Sequence, residues 1–452
     1  MEGDAVLRKI LIANRGEIAL RIIKTCQVLG IETVAIYSDA DASMPYVREA
    51  TKAVRIGESP VQKSYLKGDE VLAVAKAEGV DAIHPGYGFL SENSAFAKAA
   101  AEQGISFIGP SHEIIALMGD KVAARTTMQK ANVPVVPGSE NGVASVEEAC
   151  EFAASIGYPV MLKASGGGGG IGMQLCFKEE ELKKAYTSTK SRAKAYFGND
   201  ELFIEKYIAN ARHIEVQIFG DTKGNVIHLF ERDCSVQRRN QKVIEETPSP
   251  FLSEEVREQI CQTAVDAAKA VGYYNAGTVE FIVDEQERFY FLEMNTRLQV
   301  EHPVTEEMTG IDLVKWQILV ADGQPLPLKQ EEIRRQKHAL EFRIYAEDPV
   351  TFLPSPGIIS SIEWHEADGV RIDNGYSANT TVTPYYDPMI AKVIVSGKNR
   401  MEAIKTAQQF FERSSIEGIK TNLPLFKRVL QEEEFKAGNY TTAYLSTVLT
   451  KN

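Results

Sequence analysis

The sequence predicts an α/β and α+β multidomain protein. It should open with a doubly wound, largely parallel sheet, pass into antiparallel hairpins around a glycine-rich loop, and close with an α+β segment. Three observations predict this. Strand and helix signals alternate through the first 115 residues. The run ASGGGGGIGM (164–173) sits between two β-rich stretches, and paired apolar β-rich runs joined by short polar links follow it. The chain of 452 residues is long enough for two to four domains.

Taken in order, VLRKILI (6–12) predicts a strand. Asn14-Arg15-Gly16-Glu17 then turns into a helix whose Ile18, Ile22, Cys26 and Leu29 keep helical spacing up to Gly30. Strands follow at 32–38, 53–56, 81–84 and 105–108, with helices near 69–78 and 92–103. The first turn, NRGEIA, lacks the GxGxxG of a dinucleotide site, which sets that function aside. HPGYGFLSEN (84–93) reads as a binding loop or as a plain βα connection, and the connection is favoured.

Ser111–Lys130 predicts one linking helix carrying Lys121, with Pro134 and Pro137 marking a boundary. Ser145 and Glu148 have capping-box spacing ahead of a helix to Ile156. The strand VMLK (160–163) then enters the glycine run. Gly166 to Gly170 have no side chains to keep an anion from their N–H groups, so the loop reads as a lid over phosphates. No GK[ST] ends it, so it is not a Walker loop.

A helix near 179–195 leads to ELFIEKYI (201–208), whose Glu205 and Lys206 are either edge polar groups or a base-recognition hinge. A hairpin follows over 213–230. Arg232, Arg238, Arg239 and Lys242 next form a basic cluster, readable as a solvated face or as an anion subsite.

A helix at 253–271 precedes a second hairpin, 277–283 with 288–293. If Val283 faces Arg288, Glu280 lies diagonal to Glu293 on one face. In EMNTRLQVEH (293–302), Glu293, Asn295, Arg297, Gln299 and Glu301 fall on every second position, which predicts a continued strand with one polar wall. Two carboxylates and the Asn295 amide oxygen are hard ligands suited to Mg²⁺ or Mn²⁺. A helix near 310–322, strands at 338–348 and 388–395, and helices near 400–413 and 422–430 complete the chain. Arg343, set among apolar neighbours, reads first as a paired structural residue.

Fifty basic against 62 acidic residues give a net charge of −12. That balance argues against a nucleic-acid or anionic-membrane binder, while a local basic pocket for an anionic substrate stays compatible with it. Five scattered cysteines without a CxxC pair, and no long apolar segment, predict a cytoplasmic protein with reduced thiols.

KASGGGGGIGM, EKYI, RHIEVQ, RDCSVQRRNQK, GTVEF, EMNTRLQVEHPVTE and HALEFRIYAEDP, with IANRGEIALRI and HPGYGFLSEN before them, resemble the biotin carboxylase family of ATP-grasp enzymes. The resemblance implies an N-terminal pre-ATP-grasp domain (1–115), an ATP-grasp domain (116–330) with a mobile lid subdomain at about 135–205, and a C-terminal biotin carboxylase domain (331–452). It implies ATP- and bicarbonate-dependent carboxylation of biotin through carboxyphosphate, the first half-reaction of an acyl-CoA carboxylase, such as the acetyl-CoA carboxylase of fatty acid biosynthesis, or of a pyruvate carboxylase. Another ATP-grasp ligase and a non-catalytic nucleotide-binding regulator are the alternatives.

By the same resemblance Lys121 and Lys163 are phosphate lysines, Gly169 and Gly170 lie on the lid, and Glu205, Lys206, Tyr207 and Ile208 form the adenine hinge. His213 and Gln237 contact ribose, and Asn240 lies in the ATP site. Glu280 and Glu293, with Asn295, hold Mg²⁺ or Mn²⁺ at two sites. Lys242, Arg297, Gln299 and Val300 form the bicarbonate pocket, Glu301 is the base, and Arg343 stabilises the biotin enolate. The implied partners are a biotin carboxyl carrier protein bearing the biotin, a carboxyltransferase subunit and a second copy in a homodimer. Ile171, Gln174 and Asn240 depart from the family's usual residues, which puts lid closure and ATP affinity in question. Which acceptor finally receives the carboxyl group is not written in this chain.

Overall fold

The computed structural model describes residues 7–139, 141–164, 172–197 and 200–450. Its N-terminal sheet has five strands in the order Lys52–Gly57, Glu32–Ser38, Lys9–Ile12, Ala82–His84, Ser106–Phe107, all parallel. The order reverses between Lys9–Ile12 and Ala82–His84, and the crevice beyond the carboxyl ends of such strands is where doubly wound sheets present ligand loops. The two loops there are 13–15, which leads into the helix Gly16–Val28, and 85–90. Asn14 Nδ2 ties them together by donating to the carbonyls of Pro85 (2.7 Å) and Tyr87 (2.8 Å). Gly86 makes that approach possible: its φ is +63°, and a Cβ there would meet Asn14 Nδ2 at 2.9 Å.

The predicted linking helix is two helices, His112–Gly119 and Lys121–Lys130, broken at Asp120. Asp120 stays extended and its carboxylate accepts from the Val122 and Ala123 N–H groups, so it caps the second helix instead of continuing the first. Ser145 caps Val146–Ile156 as its spacing predicts. That helix and Glu179–Phe197 cover a three-stranded antiparallel sheet of Met173–Cys176, Val160–Ala164 and Leu202–Lys206. The five glycines expected to form a phosphate lid, Gly166 to Gly170, lie outside the described residues, as do Ser165 and Ile171 beside them.

The rest of the chain is built on one eight-stranded antiparallel sheet. Its order is Phe289–Asn295, Asn275–Val283, Arg212–Gly220, Val226–Arg238, Gln241–Thr247, His338–Tyr345, Met389–Gly397, Val370–Asn374. The last three strands lie beyond residue 330 yet pair directly with the earlier ones, Ile244 opposite Phe342 and Thr247 opposite Ala339. Helices Glu254–Ala270 and Arg400–Arg413 pack apolar faces on this sheet.

Two expectations about the polar stretch fail. The strand ends at Asn295, residues 296–301 run as loop and turn, and His302–Thr309 is a helix. Pro303 in its first turn favours that start, because proline's fixed φ suits a helix and its missing N–H would be unpaired there anyway. The hairpin register also shifts by one, with Val283 opposite Phe289, and a bulge then places Glu280 directly opposite Glu293.

Candidate active site

The antiparallel registers set charged side chains in a row on one face of the large sheet. Glu293, Glu280, Glu215 and Arg232 are successive cross-strand partners. Farther along, Glu245 faces Glu341, and Arg343 faces Lys392, which faces Asp373. The turn 296–301 and the helix after it lie over this row, and Arg232 Nη1 donates to Thr305 Oγ1 at 2.9 Å.

Glu301, fully buried at the helix start, is the centre of the arrangement. Its Oε1 is 2.8 Å from Lys242 Nζ and its Oε2 is 3.0 Å from Arg343 Nη2. Lys242 also reaches Glu215 Oε2 (2.5 Å) and Glu280 Oε1 (2.9 Å). Arg343 Nε lies 2.6 Å from Glu245 Oε1. Arg343 is thus paired, as its apolar setting predicts, and its partners belong to the site.

These pairings fix the charge states. Burial works to raise the Glu301 carboxyl, but Lys242, Arg343 and Arg232 hold it well below the usual range. Burial likewise opposes the Lys242 ammonium, and Glu215, Glu280 and Glu301 together push it well above its ordinary value. His213 accepts from Gln237 Nε2 at Nδ1 (2.9 Å) and turns Nε2 to Glu280 Oε2 (2.8 Å). Burial disfavours the His213 cation, yet Glu280 raises its pKa overall.

The metal-ligand expectation meets a mixed geometry. Glu280 is held low, since Lys242 and His213 overcome its burial. Glu293 is pushed up by burial and by Glu280 across from it, against the attraction of Lys121, His213 and Lys242. A divalent cation between the two would relieve that repulsion, so the hard-oxygen pair fits Mg²⁺ or Mn²⁺. Asn295 gives its amide nitrogen to Glu280 (2.8 Å) and its oxygen to Arg297 Nη2 (3.3 Å).

Arg297 Nη1 donates to Gln299 Oε1 (3.0 Å), and its Nε donates to Glu92 Oε2 (2.8 Å). Glu92 also accepts from the Thr296 N–H at 3.1 Å. The HPGYGFLSEN segment is therefore part of the site and no plain connection: Glu92 grips the 296–297 turn, and Tyr87, Gly88 and Phe89 line the cavity.

That cavity, of about 520 Å³, is bounded by His213, Asn240, Lys242, Glu280, Glu293, Asn295, Arg297, Gln299, Val300, Glu301 and Arg343 and by residues 14–18, at the start of the first helix, and 87–89. A second, of about 380 Å³, shares Glu293, Asn295 and Arg297 with it and adds Lys121 and Glu92. Asn240 and Arg239 form the hairpin turn before Gln241–Thr247, with φ of +63° and +51°. The basic cluster is neither one solvated face nor one subsite. Arg232 is buried on Glu215, Arg238 pairs with Glu347, Lys242 serves the site, and Arg239 is exposed.

Lys163, Glu205 and Lys206 lie on the three-stranded sheet, Tyr207 and Ile208 follow its last strand, and none of them lines either cavity. Lys163 pairs with Glu205, which is also 3.6 Å from Arg125. Lys206 Nζ donates to the carbonyls of Gly157 (2.9 Å) and Tyr158 (3.0 Å), and the Tyr207 N–H donates to Pro159 O (3.1 Å).

Sequence reasoning missed Glu17, Tyr87, Glu92, Glu215, Glu245 and Lys392. Of these, Glu215 had a signal, because HIEVQ alternates and sets it on one face with His213 and Gln217.

Comparison with known proteins agrees with this geometry. The family model described as biotin carboxylase, N-terminal domain, matches residues 6–115. The carbamoyl-phosphate synthase L chain ATP binding domain matches 120–329, and the biotin carboxylase C-terminal domain matches 341–447. A biotin carboxylase of Halalkalibacterium halodurans is 58% identical over 98% of both chains, and biotin carboxylase 2 of Bacillus subtilis is 57% identical over 97% of this chain and 98% of its own. Among solved structures, the biotin carboxylase domain dimer of Hydrogenobacter thermophilus 2-oxoglutarate carboxylase, in complex with MgADP, ADP and bicarbonate, has a TM-score of 0.92 at 48% identity over 98% of both chains. A biotin carboxylase complex with β,γ-ATP from Campylobacter jejuni has a TM-score of 0.93 at 47% identity, over 98% of this chain and 99% of its own. With models for all three of its segments and relatives matched from end to end, the chain belongs to the biotin carboxylase family.

Proposed function

We propose that this chain carboxylates biotin on a carrier protein, using ATP and bicarbonate. The observation that carries this is the Glu301 carboxylate held between Lys242 and Arg343 at the wall of a cavity that also contains the Glu280–Glu293 pair.

In this reading Glu280 and Glu293 hold Mg²⁺ or Mn²⁺, which when bound neutralises phosphate charge; Lys121 and Lys163 supply further positive charge to the phosphates. Gly169 and Gly170 close over them, and Glu205, Lys206, Tyr207 and Ile208 receive the adenine. His213, Gln237 and Asn240 flank the nucleotide. Bicarbonate sits on Lys242, Arg297, Gln299 and Val300.

The electrostatics describe the base. A carboxylate gripped by two cations is ionised but weakly basic. An anionic substrate that draws Lys242 and Arg343 toward itself loosens that grip, so the basicity of Glu301 rises only when bicarbonate is present. Glu301 then takes the bicarbonate proton while a bicarbonate oxygen attacks the γ-phosphorus and ADP leaves. The resulting carboxyphosphate breaks its C–O bond to give CO₂ and phosphate, the phosphate takes the proton from the ureido N1 of biotin, and the N1 of the resulting enolate attacks CO₂. Arg343 stabilises the enolate, a charge that exists only during reaction.

The three matched segments support a division into 1–115, 116–330 and 331–452, and the separate three-stranded sheet supports a lid subdomain at about 135–205 within the second. A homodimer is supported by the dimer of the Hydrogenobacter domain. A biotin carboxyl carrier protein and a carboxyltransferase subunit complete the system. Relatives named for pyruvate, propionyl-CoA and 2-oxoglutarate carboxylases support leaving the acceptor to that partner. No helix among the described residues is long and apolar enough to cross a membrane, and five unbonded, buried cysteines suit a cytoplasmic setting.

The test is ADP release from Mg-ATP by the purified chain, with and without bicarbonate and biotin. Dependence on both is expected; ADP release indifferent to both would overturn the reading.

A further inference from the structure

Lys392 is completely buried in the seventh strand of the large sheet. An ammonium ion removed from water is costly unless its hydrogens are matched, so its partners identify what it serves. Its Nζ donates to the Val300 carbonyl at 2.9 Å and lies 3.2 Å from Glu17 Oε1. Glu17 in turn accepts from the Tyr87 hydroxyl, and the Tyr87 ring centre is 5.9 Å from the ammonium. Glu17 lies in the first turn of the helix that follows the first switch-point loop of the N-terminal sheet, and Tyr87 belongs to the second loop.

The Val300 carbonyl is the far end of the peptide unit that begins Glu301. A peptide unit is planar, so fixing the direction of that C=O also fixes the Glu301 N–H and the bond from which the residue departs. We infer that Lys392 is a positioning residue for the turn bearing the base, and that Glu17 and Tyr87 set Lys392 in place from the N-terminal sheet. The inference rests on the function proposed above. It gives a shared task to the NRGE and HPGYG segments.

Lys392 is not itself catalytic, since it is fully buried and lines neither cavity. Its contribution is directional. A neutral side chain of similar length, Lys392→Met, fills the space but releases the Val300 carbonyl. Small displacements of a reacting group have large rate effects, of the order of 10²-fold for about 1 Å.

The experiment compares Lys392→Met, Glu17→Gln and the double variant with the full-length wild type. Two readouts are taken: steady-state kinetics varying ATP and bicarbonate separately, and amide hydrogen exchange over residues 296–304. Lys392→Met should lower kcat and raise the KM for bicarbonate, each about tenfold, with the KM for ATP within about twofold of wild type. Exchange at the Val300–Glu301 turn should quicken, and the double variant should be no worse than Lys392→Met. Unchanged exchange at the turn, or equal losses toward both substrates with a general fall in Tm, would overturn the inference. If Lys392→Met does not fold, Glu17→Gln decides by the same measures. Wild-type protein without bicarbonate-dependent ADP release would refute the proposed function alone, because the exchange readout needs no turnover.

Discussion

The eight-stranded sheet and the three-stranded sheet both carry charged residues expected to handle substrate, but they hold them differently. On the large sheet Lys242 has three carboxylate partners, Arg343 has two, and the strands on either side fix each position. On the small sheet Lys163 has Glu205, and the two side chains are 32% and 23% exposed. The first is a site assembled in advance of its ligands. The second is a pair that an incoming phosphate can separate at less cost, because a partly solvated ion pair is weaker than a fully buried one.

The sharpest test of that contrast is at its centre. Glu301→Gln should reduce bicarbonate-dependent turnover by about 10²–10⁴-fold, the usual range for loss of a general base, while calorimetry shows ATP still binding. Comparable activity would mean that the prearranged cluster serves stability alone.

Next, Lys242→Ala and Lys163→Ala should separate. The first strands three carboxylates and should cost about 3–5 kcal/mol in urea unfolding, whereas the second should cost less than about 1 kcal/mol and show itself as a higher KM for ATP. Equal losses of stability would erase the distinction between the two sheets.

A smaller effect is expected with pH. Burial first, and then neighbouring acids, push Glu245 up to about 7 against the attraction of Arg343. The native state therefore binds a proton that the unfolded chain releases near 4.5, so this contribution is complete below about that pH and is lost as pH rises through 7. Glu245→Gln should flatten that part of the stability profile, measured by urea midpoints across it.

The smallest expected effect concerns the glycine loop. Ile171→Arg adds a cation to the expected lid and should lower the KM for ATP by a few-fold; an unchanged value would mean that backbone amides suffice.

Local pattern made much of this legible. Alternation marked the parallel sheet and the hairpins, and the spacing of Ser145 and Glu148 found a helix start. The pairing of Glu280 with Glu293 was visible, but its geometry was not, because a bulge is a backbone adjustment that alternation does not encode. The polar wall was right in membership and wrong in form. Arg297, Gln299 and Glu301 reach the cavity from a turn, and the signal that the strand had ended was Pro303. Lys392 and Glu17 were out of reach, since each looks like an ordinary strand or helix residue until a fold brings them within 3.2 Å.

The direct pairing of Gln241–Thr247 with His338–Tyr345 has a practical meaning. A fragment ending near residue 330 would keep five of the eight strands and leave Gln241–Thr247 with an open row of backbone donors and acceptors. Such an edge is a template for another chain, so that fragment should self-associate on expression, while the whole protein covers the edge with its own last strands.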